Sequence, residues 1–167
     1  MKRRLFIALV LIMMLVPMSI AAADEKPLRF ETTYVFMGHL EIQEEEYGTR
    51  FLIWQGEVFV RGDQDPVGTM EWWMYFPGGT DTGQVNHWED AIWKIYFNDG
   101  GYIQGNEWGS TTWLHDMTAA NWRANGIVTD VSEGYEYLID RPMHDGGKVT
   151  WPPGSLPFGA GKLHINK

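Results

Sequence analysis

The sequence predicts an all-β fold, namely a single eight-stranded, antiparallel and mostly up-and-down β-barrel that follows an N-terminal signal peptide. Aromatic-rich runs alternate with clusters of Gly, Pro, Asn and Asp, and no long stretch keeps a 3.6-residue apolar period. Several of these runs are long and are joined by short turns, which fits a coiled sheet closing on itself better than a sandwich of short strands. Closure would also remove exposed strand edges.

The first 23 residues are typical of an export signal. Residues 2–4 are basic, Leu5 to Val16 are almost all apolar, and the segment ends in three alanines, of which Ala23 is the last. This pattern predicts cleavage after Ala23, leaving residues 24–167 as one barrel domain. The alternative is an uncleaved membrane anchor, because the apolar run is only somewhat short of the ~20 residues that a span needs. The expected location is periplasmic, cell-surface or extracellular.

Eight runs have the composition and alternation of strands. The clearest turn between them is Asn98-Asp99-Gly100-Gly101, and similar turns occur at residues 62–66, 77–79 and 132–134. Two segments are expected to be irregular: Leu114 to Asn121, as a helical turn or loop, and Trp151 to Pro157. The predicted strands are Arg29 to Gln43, Thr49 to Arg61, Val67 to Phe76, Gln84 to Asn98, Tyr102 to Thr112, Trp122 to Val131, Tyr135 to Met143, and Ala160 to Asn166.

Charge and cysteine content limit the partners. The chain has 13 Lys and Arg, of which three lie in the signal, and 22 Asp and Glu, so the mature domain carries a formal charge of −12. We therefore expect no nucleic-acid partner and no stable membrane association after cleavage. The absence of cysteine excludes disulfides, a lipoprotein anchor, thiolate metal sites and cysteine nucleophiles. We expect no cofactor; a homo-oligomer is left open.

The fourth run suggests a ligand site at a barrel mouth. Strand alternation places His87, Glu89 and Trp93 on one face, with the two ionisable groups near one end. In a small barrel they would meet a ligand at the mouth while Trp93 closes the floor. The alternative is that His87 and Glu89 are exposed at a fraying strand end.

The third run carries a carboxylate between aromatic residues. Glu71 would share a face with Trp73 and Tyr75, an arrangement that suits a sugar or an apolar ligand with a polar head. The competing interpretation is ordinary tryptophan packing with Glu71 at its edge.

Glu107 is the strongest single candidate for a ligand-facing carboxylate. Gly105 and Gly109 lie on its face of the fifth run, and their missing side chains make either a bend or space beside it. Trp108 is a further candidate wall. Pairs such as Glu71 with Glu107, or Glu89 with Glu107, could act as general acid and base.

No metal site is expected. The adjacent pairs His115-Asp116 and His144-Asp145 have no second ligand at metal-binding spacing, and no recognised metal-binding motif is present. We interpret both pairs as surface turn residues.

The second half resembles the closing strands of the allene oxide cyclase and dirigent barrel superfamily. The resemblance lies in residues 125–132, 135–141 and 144–149, and in the glycine-punctuated residues 98–105. It implies an eight-stranded, calycin-like barrel behind an export peptide, with a lumen for a small apolar or aromatic ligand. The family's catalytic residues match no positions here, so cyclase activity is not carried over.

Three functions follow from these patterns. The first is an exported, non-catalytic barrel that binds a small apolar or aromatic ligand, with Trp73, Trp93 and Trp108 as walls and Glu71, Glu89 and Glu107 as anchors. The second is an enzyme on the same barrel, either a cyclase or isomerase or a carboxylate-dependent glycan hydrolase. The third is a carbohydrate-binding envelope domain with Trp72 and Trp88 outside.

Overall fold

The computed structural model describes residues 27–42, 49–76, 85–114 and 118–167. These residues form a closed barrel of eight strands, each hydrogen-bonded to the next in chain order. Neighbouring strands are all antiparallel, as predicted. The strands are β1 (Leu28–Ile42), β2 (Thr49–Val60), β3 (Gly68–Phe76), β4 (Val85–Phe97), β5 (Tyr102–Trp113), β6 (Ala119–Val131), β7 (Pro142–Thr150) and β8 (Phe158–Ile165).

The first and last strands close the barrel. β1 and β8 are paired from Leu28 opposite Ile165 to Val35 opposite Phe158. The backbone groups that would form the two edges of an open sheet therefore bond to each other. The single helical element among the described residues is a 3-10 turn, Glu136–Leu138, and no helix in this part of the chain is long and apolar enough to cross a membrane.

The seventh strand is displaced from its predicted position. Tyr135 to Met143 was expected to be extended, but this segment begins with the 3-10 turn, and the strand starts at Pro142. The turn buries Leu138 completely, and Asp140 takes a positive φ of 62°. Because Leu138 is a buried apolar residue in a loop, the local sequence has the same alternating pattern as a strand. The observed strand β7 contains the His144-Asp145 pair.

The other segments agree more closely with the predictions made from the sequence. The turn at residues 98–101 is a tight hairpin in which Gly100 has φ of 92°. Residues 151–157 are irregular, as expected, whereas the segment from Leu114 to Asn121 is partly strand, because β6 begins at Ala119. The signal peptide, the turn at 77–79 and the His115-Asp116 pair lie outside the described residues.

A β-bulge in β4 reverses the alternation of the strand. Trp88 pairs with Gly109 and Ala91 with Glu107, so β4 has one more residue than β5 between these pairs. Asp90 occupies the left-handed region with φ of 53°. Trp88 and Trp93 consequently both point inward although they are five residues apart.

Large indole rings fill the barrel, and glycines on other strands make room for them. A Cβ added at Gly147 would lie 2.4 Å from the Trp122 ring, and one added at Gly161 would lie 2.6 Å from it. Gly105 stands in the same relation to Trp93, at 2.5 Å. These inward glycines let an interior of eight-strand width hold several tryptophans without overpacking.

Candidate functional site

Glu107 lies in the middle of the barrel interior. It is on the inward face of β5 and is only 1% exposed. The flanking glycines do not leave space beside it: the ring of Trp93 covers Gly105, and the ring of Trp88 covers Gly109. Glu107 thus faces the interior, and indole rings take the place of the space that the glycines could have left beside it.

A second carboxylate, Asp145, reaches the interior from β7 and is 5% exposed. Its Oδ2 accepts a hydrogen bond from Trp122 Nε1 at 3.1 Å and a longer one from the Tyr34 hydroxyl at 3.5 Å. Its Oδ1 accepts one from the Gly146 backbone N–H at 2.8 Å. Asp145 was predicted to be a surface turn residue, which is wrong, because β7 begins later than expected and alternation turns this side chain inward.

The two carboxylates influence each other. Burial, and then the charge of Asp145, raise the pKa of Glu107 well above its usual value, while the Trp72 indole acts in the opposite direction. Burial raises the pKa of Asp145 from 3.8 to about 6, although its hydrogen bonds from Trp122, Gly146 and Tyr34 oppose the rise. The charge of Asp145 therefore favours the protonated form of Glu107.

Aromatic rings surround the carboxylates. The Tyr34 ring lies 5.3 Å from that of Trp72 and 5.8 Å from that of Trp122, measured between centroids. Trp72 in turn lies 6.1 Å from Trp122 and 6.0 Å from Trp88, the latter edge to face. We call these four residues, Tyr34, Trp72, Trp88 and Trp122, the aromatic cage. Contacts of this length are within the favourable range for aromatic pairs.

Several buried polar atoms in this interior have no protein partner. They include both carboxylate oxygens of Glu107, the hydroxyl of Thr32, and the indole N–H groups of Trp54, Trp72, Trp93 and Trp113. Leaving a buried donor or acceptor unsatisfied costs about 1–3 kcal/mol, and more when the group is charged. The Trp72 indole is nevertheless close enough to Glu107 to lower the pKa of that carboxyl group, and all of these atoms are enclosed by the surrounding side chains.

Among the side chains that the structure describes, no buried basic group balances the carboxylates. Among the described residues, the buried polar and charged side chains are Thr32, Asn86, Glu107, Thr111 and Asp145. None of them is Lys, Arg or His. The described interior therefore carries acidic groups inside a largely aromatic wall.

Only two of the predicted site residues face this interior, Trp93 and Glu107. Trp108 is the neighbour of Glu107 on β5 and must point the opposite way; it is 53% exposed. Glu71 and Trp73 are half-buried on the outer face of β3. His87 and Glu89 are exposed, because they precede the bulge of β4 and alternate with the inward Trp88.

These placements remove two of the proposed arrangements. The carboxylate pairs Glu71 with Glu107, and Glu89 with Glu107, are separated by the barrel wall. The expectation that Trp72 and Trp88 lie outside is wrong, since both are nearly fully buried, at 3% and 1% exposure. The carbohydrate-binding interpretation loses the two rings on which it depended.

Sequence reasoning missed five interior residues: Tyr34, Trp72, Trp88, Trp122 and Asp145. One signal could have pointed to Trp122. The next two strands, β7 and β8, are rich in glycine, and a glycine at an inward position indicates a large ring opposite.

A separate groove lies at the barrel end that carries the turns 61–67, 98–101 and 132–141. It has a volume of about 640 Å³ and includes Phe30, Phe97, Tyr135 and Asp99 in its lining. The carboxylate of Asp99 is already engaged, since it accepts hydrogen bonds from the Gly101 N–H and the Tyr135 hydroxyl. Among the described residues, none of the buried polar atoms without a protein partner belongs to the lining of this groove.

Comparison with known proteins supports the fold. No protein-family model matches the chain, and no curated protein matches it. A crystal structure of a protein of unknown function from Clostridium acetobutylicum is similar, with a TM-score of 0.52 and 16% sequence identity over 84% of this chain and 98% of that one. At this identity the likeness concerns the fold alone. Fold and interior define a closed eight-stranded barrel with a buried aromatic cluster.

Proposed function

We propose that this protein is an exported binding protein that holds a small, largely apolar or aromatic ligand inside its barrel. The observation that carries the proposal is the closed barrel whose interior holds the aromatic cage and two buried carboxyl groups, Glu107 and Asp145. Such an interior matches a ligand with an apolar body and a polar group. Its binding site consists of the cage, Glu107 and Asp145.

Export belongs to the same proposal. The basic start, apolar core and alanine-rich end of residues 1–23 support it. The mature protein recovered from outside the cytoplasm should begin at Asp24, as N-terminal sequencing or intact mass would show. The likeness to allene oxide cyclase and dirigent barrels supports the ligand class proposed here without supplying catalytic residues.

The binding test compares two adjacent tryptophans on opposite faces of β3. Calorimetric titration of the purified mature domain with lipophilic and phenolic compounds should identify a binder. Trp72→Phe, inside the cage, should weaken its binding at least about fivefold, since ring contacts contribute roughly 0.5–1.5 kcal/mol each. Trp73→Phe, on the outer face, should leave the affinity unchanged. Failure of the whole panel to bind, or equal effects of the two substitutions, would contradict an interior site.

A second candidate function is acid–base catalysis, and the carboxyl pair favours it. Two buried carboxyl groups whose pKa values are both raised, with the charge of Asp145 raising that of Glu107, can provide a proton donor and a proton acceptor in one site. An isomerase or cyclase would use such a pair. Turnover of any bound compound that is abolished by both Glu107→Gln and Asp145→Asn would establish this alternative; binding without chemical change in the wild type supports the non-catalytic proposal.

A further inference from the structure

The groove beside Phe97 and Tyr135, which we call the end groove, is a cavity that the interior site does not use. Its volume of about 640 Å³ falls within the range of small-molecule sites. Its lining includes neither the residues of the aromatic cage nor the two interior carboxyl groups. Its rim residues Asp63 and Asp65 are exposed, so the end groove is accessible from solvent.

The floor of the end groove is aromatic and apolar. The Phe97 ring lies 5.0 Å from that of Tyr135 between centroids, nearly parallel to it at 12°, and 6.0 Å from that of Phe30. Phe97 and Tyr135 are half-buried, and Val60 in the same lining is 40% exposed. This floor therefore offers accessible ring and methyl area to the apolar body of a ligand.

The rim of the end groove carries only negative charge. Its charged side chains are those of Asp63, Asp65 and Asp99, and the lining contains no Lys, Arg or His. Asp99 is engaged by the Gly101 N–H and the Tyr135 hydroxyl. Within the described part of the chain, no hydrogen bond or ion pair engages the carboxylate of Asp63 or Asp65. Two exposed carboxylates beside an apolar floor are complementary to a positively charged group.

Hydrogen bonds between the turns hold the end groove in shape. The Asn98 side-chain amide donates to the Pro66 carbonyl at 2.8 Å, and the Asn98 backbone N–H donates to the Val67 carbonyl at 2.9 Å. The Tyr135 hydroxyl donates to Asp99 at 3.3 Å. Because all three turns are connected in this way, a ligand would meet a preformed surface and lose less affinity to ordering of the protein.

The arrangement of the acidic groups favours an organic cation over a metal ion. Calcium takes six to eight oxygen ligands around one point. Among the described residues, no group of three or more His, Asp or Glu side chains comes together in a way that could hold a metal ion. A cation that also carries an apolar body would use both the rim and the floor.

We propose that the end groove is a second binding site, for a small aromatic amine in its protonated form. The ring of the amine packs on the floor at Phe97 and Tyr135, and its ammonium group lies on the side of Asp63 and Asp65. The aromatic floor also attracts positive charge, since the faces of such rings carry negative potential. This site is independent of the proposed binding function of the interior.

Three probes of one shape separate the charge of the ligand from its apolar body. The mature wild-type domain is titrated calorimetrically with tryptamine, tryptophol and indoleacetate at low salt. Tryptamine should bind at least about fivefold more tightly than tryptophol, through exposed ion pairs and ring contacts. Indoleacetate should bind most weakly. Added sodium chloride should reduce the preference for tryptamine, because it screens exposed charges.

A double substitution locates the preference. In Asp63→Asn combined with Asp65→Asn, the ratio of tryptamine to tryptophol affinity should fall at least about threefold. The matched control combines Glu57→Gln with Glu89→Gln, which removes the same number of charges at exposed positions outside the lining and should keep the ratio. If the first variant does not fold, amide chemical shifts of the wild type decide the location: tryptamine should move those of residues 63–67, 97–101 and 135.

The outcomes keep the two sites distinct. Trp72→Phe should leave the affinity for tryptamine unchanged, whatever it does to a ligand of the interior. Equal affinity for tryptamine and tryptophol, or no binding of tryptamine, would overturn the inference. So would a preference that survives in the Asp63 and Asp65 variant, or one that falls equally in the control. Tryptamine binding that is lost with Trp72→Phe alone would place the compound in the interior and overturn the end-groove site, while the interior function stands.

Discussion

Trp122 and Asp145 connect two neighbouring strands through the barrel interior: the indole N–H of Trp122 on β6 donates to Asp145 Oδ2 on β7 at 3.1 Å. Both side chains are buried, and inward glycines on β7 and β8 hold the space that the indole needs. A hydrogen bond to a carboxylate in such an environment is stronger than one at the surface. The stability of the barrel and the proposed binding site therefore share this contact.

Removal of the Trp122 indole N–H should show how much this hydrogen bond contributes to the free energy of unfolding. Trp122→Phe keeps an aromatic ring but leaves Asp145 with one fewer hydrogen bond, so the free energy of unfolding should fall by about 2–4 kcal/mol from the lost bond and the cavity together. Urea denaturation measures this difference. Trp108→Phe, at an exposed position of β5, should change the same quantity by less than about 0.5 kcal/mol. Equal losses at the two positions would contradict the importance of this contact.

The glycines opposite Trp122 should differ in their tolerance of a methyl group. At Gly147 an added Cβ would lie 2.2 Å from the Ala160 carbonyl oxygen and 2.4 Å from the Trp122 ring, whereas at Gly159 its nearest neighbours are at ordinary contact distances of 3.4 and 3.5 Å. Gly147→Ala should therefore destabilise the domain by roughly 1–3 kcal/mol or more.

Gly159→Ala is the matched control. It should be neutral, or stabilise by up to about 1 kcal/mol through a less flexible unfolded chain. Thermal unfolding of the two variants provides the comparison. A Gly147→Ala domain as stable as Gly159→Ala would show that Trp122 does not occupy the position described.

The bulge of β4 gives a prediction at the backbone level. Asp90 has φ of 53°, a conformation that glycine adopts freely and β-branched residues adopt with difficulty. Asp90→Gly should change the unfolding free energy by less than about 1 kcal/mol, whereas Asp90→Val should lower it by roughly 1–3 kcal/mol. Chemical denaturation of both variants tests this. A valine variant as stable as the glycine variant would contradict the bulge.

The dependence of stability on pH should carry the signature of Asp145. Its pKa is raised from 3.8 to about 6 in the folded protein, so the folded state holds the proton more tightly than the unfolded state. The stability conferred by this group is fully present below about pH 4 and is lost as pH rises through 6. Since each tenfold change in proton affinity corresponds to ~1.4 kcal/mol, the loss amounts to roughly 3 kcal/mol.

Asp145→Asn removes this titration while keeping an oxygen that accepts from Trp122. The unfolding free energy of the variant minus that of the wild type should therefore increase by about 3 kcal/mol between pH 4 and pH 7. Release of Glu107 from a neighbouring charge acts in the same direction. Glu89→Gln, at the surface, should show no comparable increase. A difference that stays flat with pH would contradict a buried, proton-retaining Asp145.

Much of the fold could be predicted because long alternating runs and glycine-rich turns are local features. The hairpin at Asn98 to Gly101 and the limits of β5 depend on a few neighbouring residues, and the sequence shows them directly. The seventh strand was misplaced because Leu138 is buried by a loop. Local alternation does not distinguish that burial from a strand.

The candidate site was harder to predict, because it depends on which face of each strand turns inward. One inserted residue near Asp90 exchanges the faces of β4, so that Trp88 lies inside and Glu89 outside. The inward direction of Asp145 could be predicted only from the correct start of β7, at Pro142. Glu107 was identified because its own strand keeps strict alternation on the inward side from Ile103 to Thr111.

The most direct test of the central claim is a crystal structure of the mature domain soaked with a binder from the lipophilic and phenolic panel. We expect electron density for the compound inside the barrel, in contact with the cage ring of Trp72. Density only in the end groove beside Phe97 and Tyr135, or only on the outer surface beside Trp108, would contradict the account of the interior as the binding site.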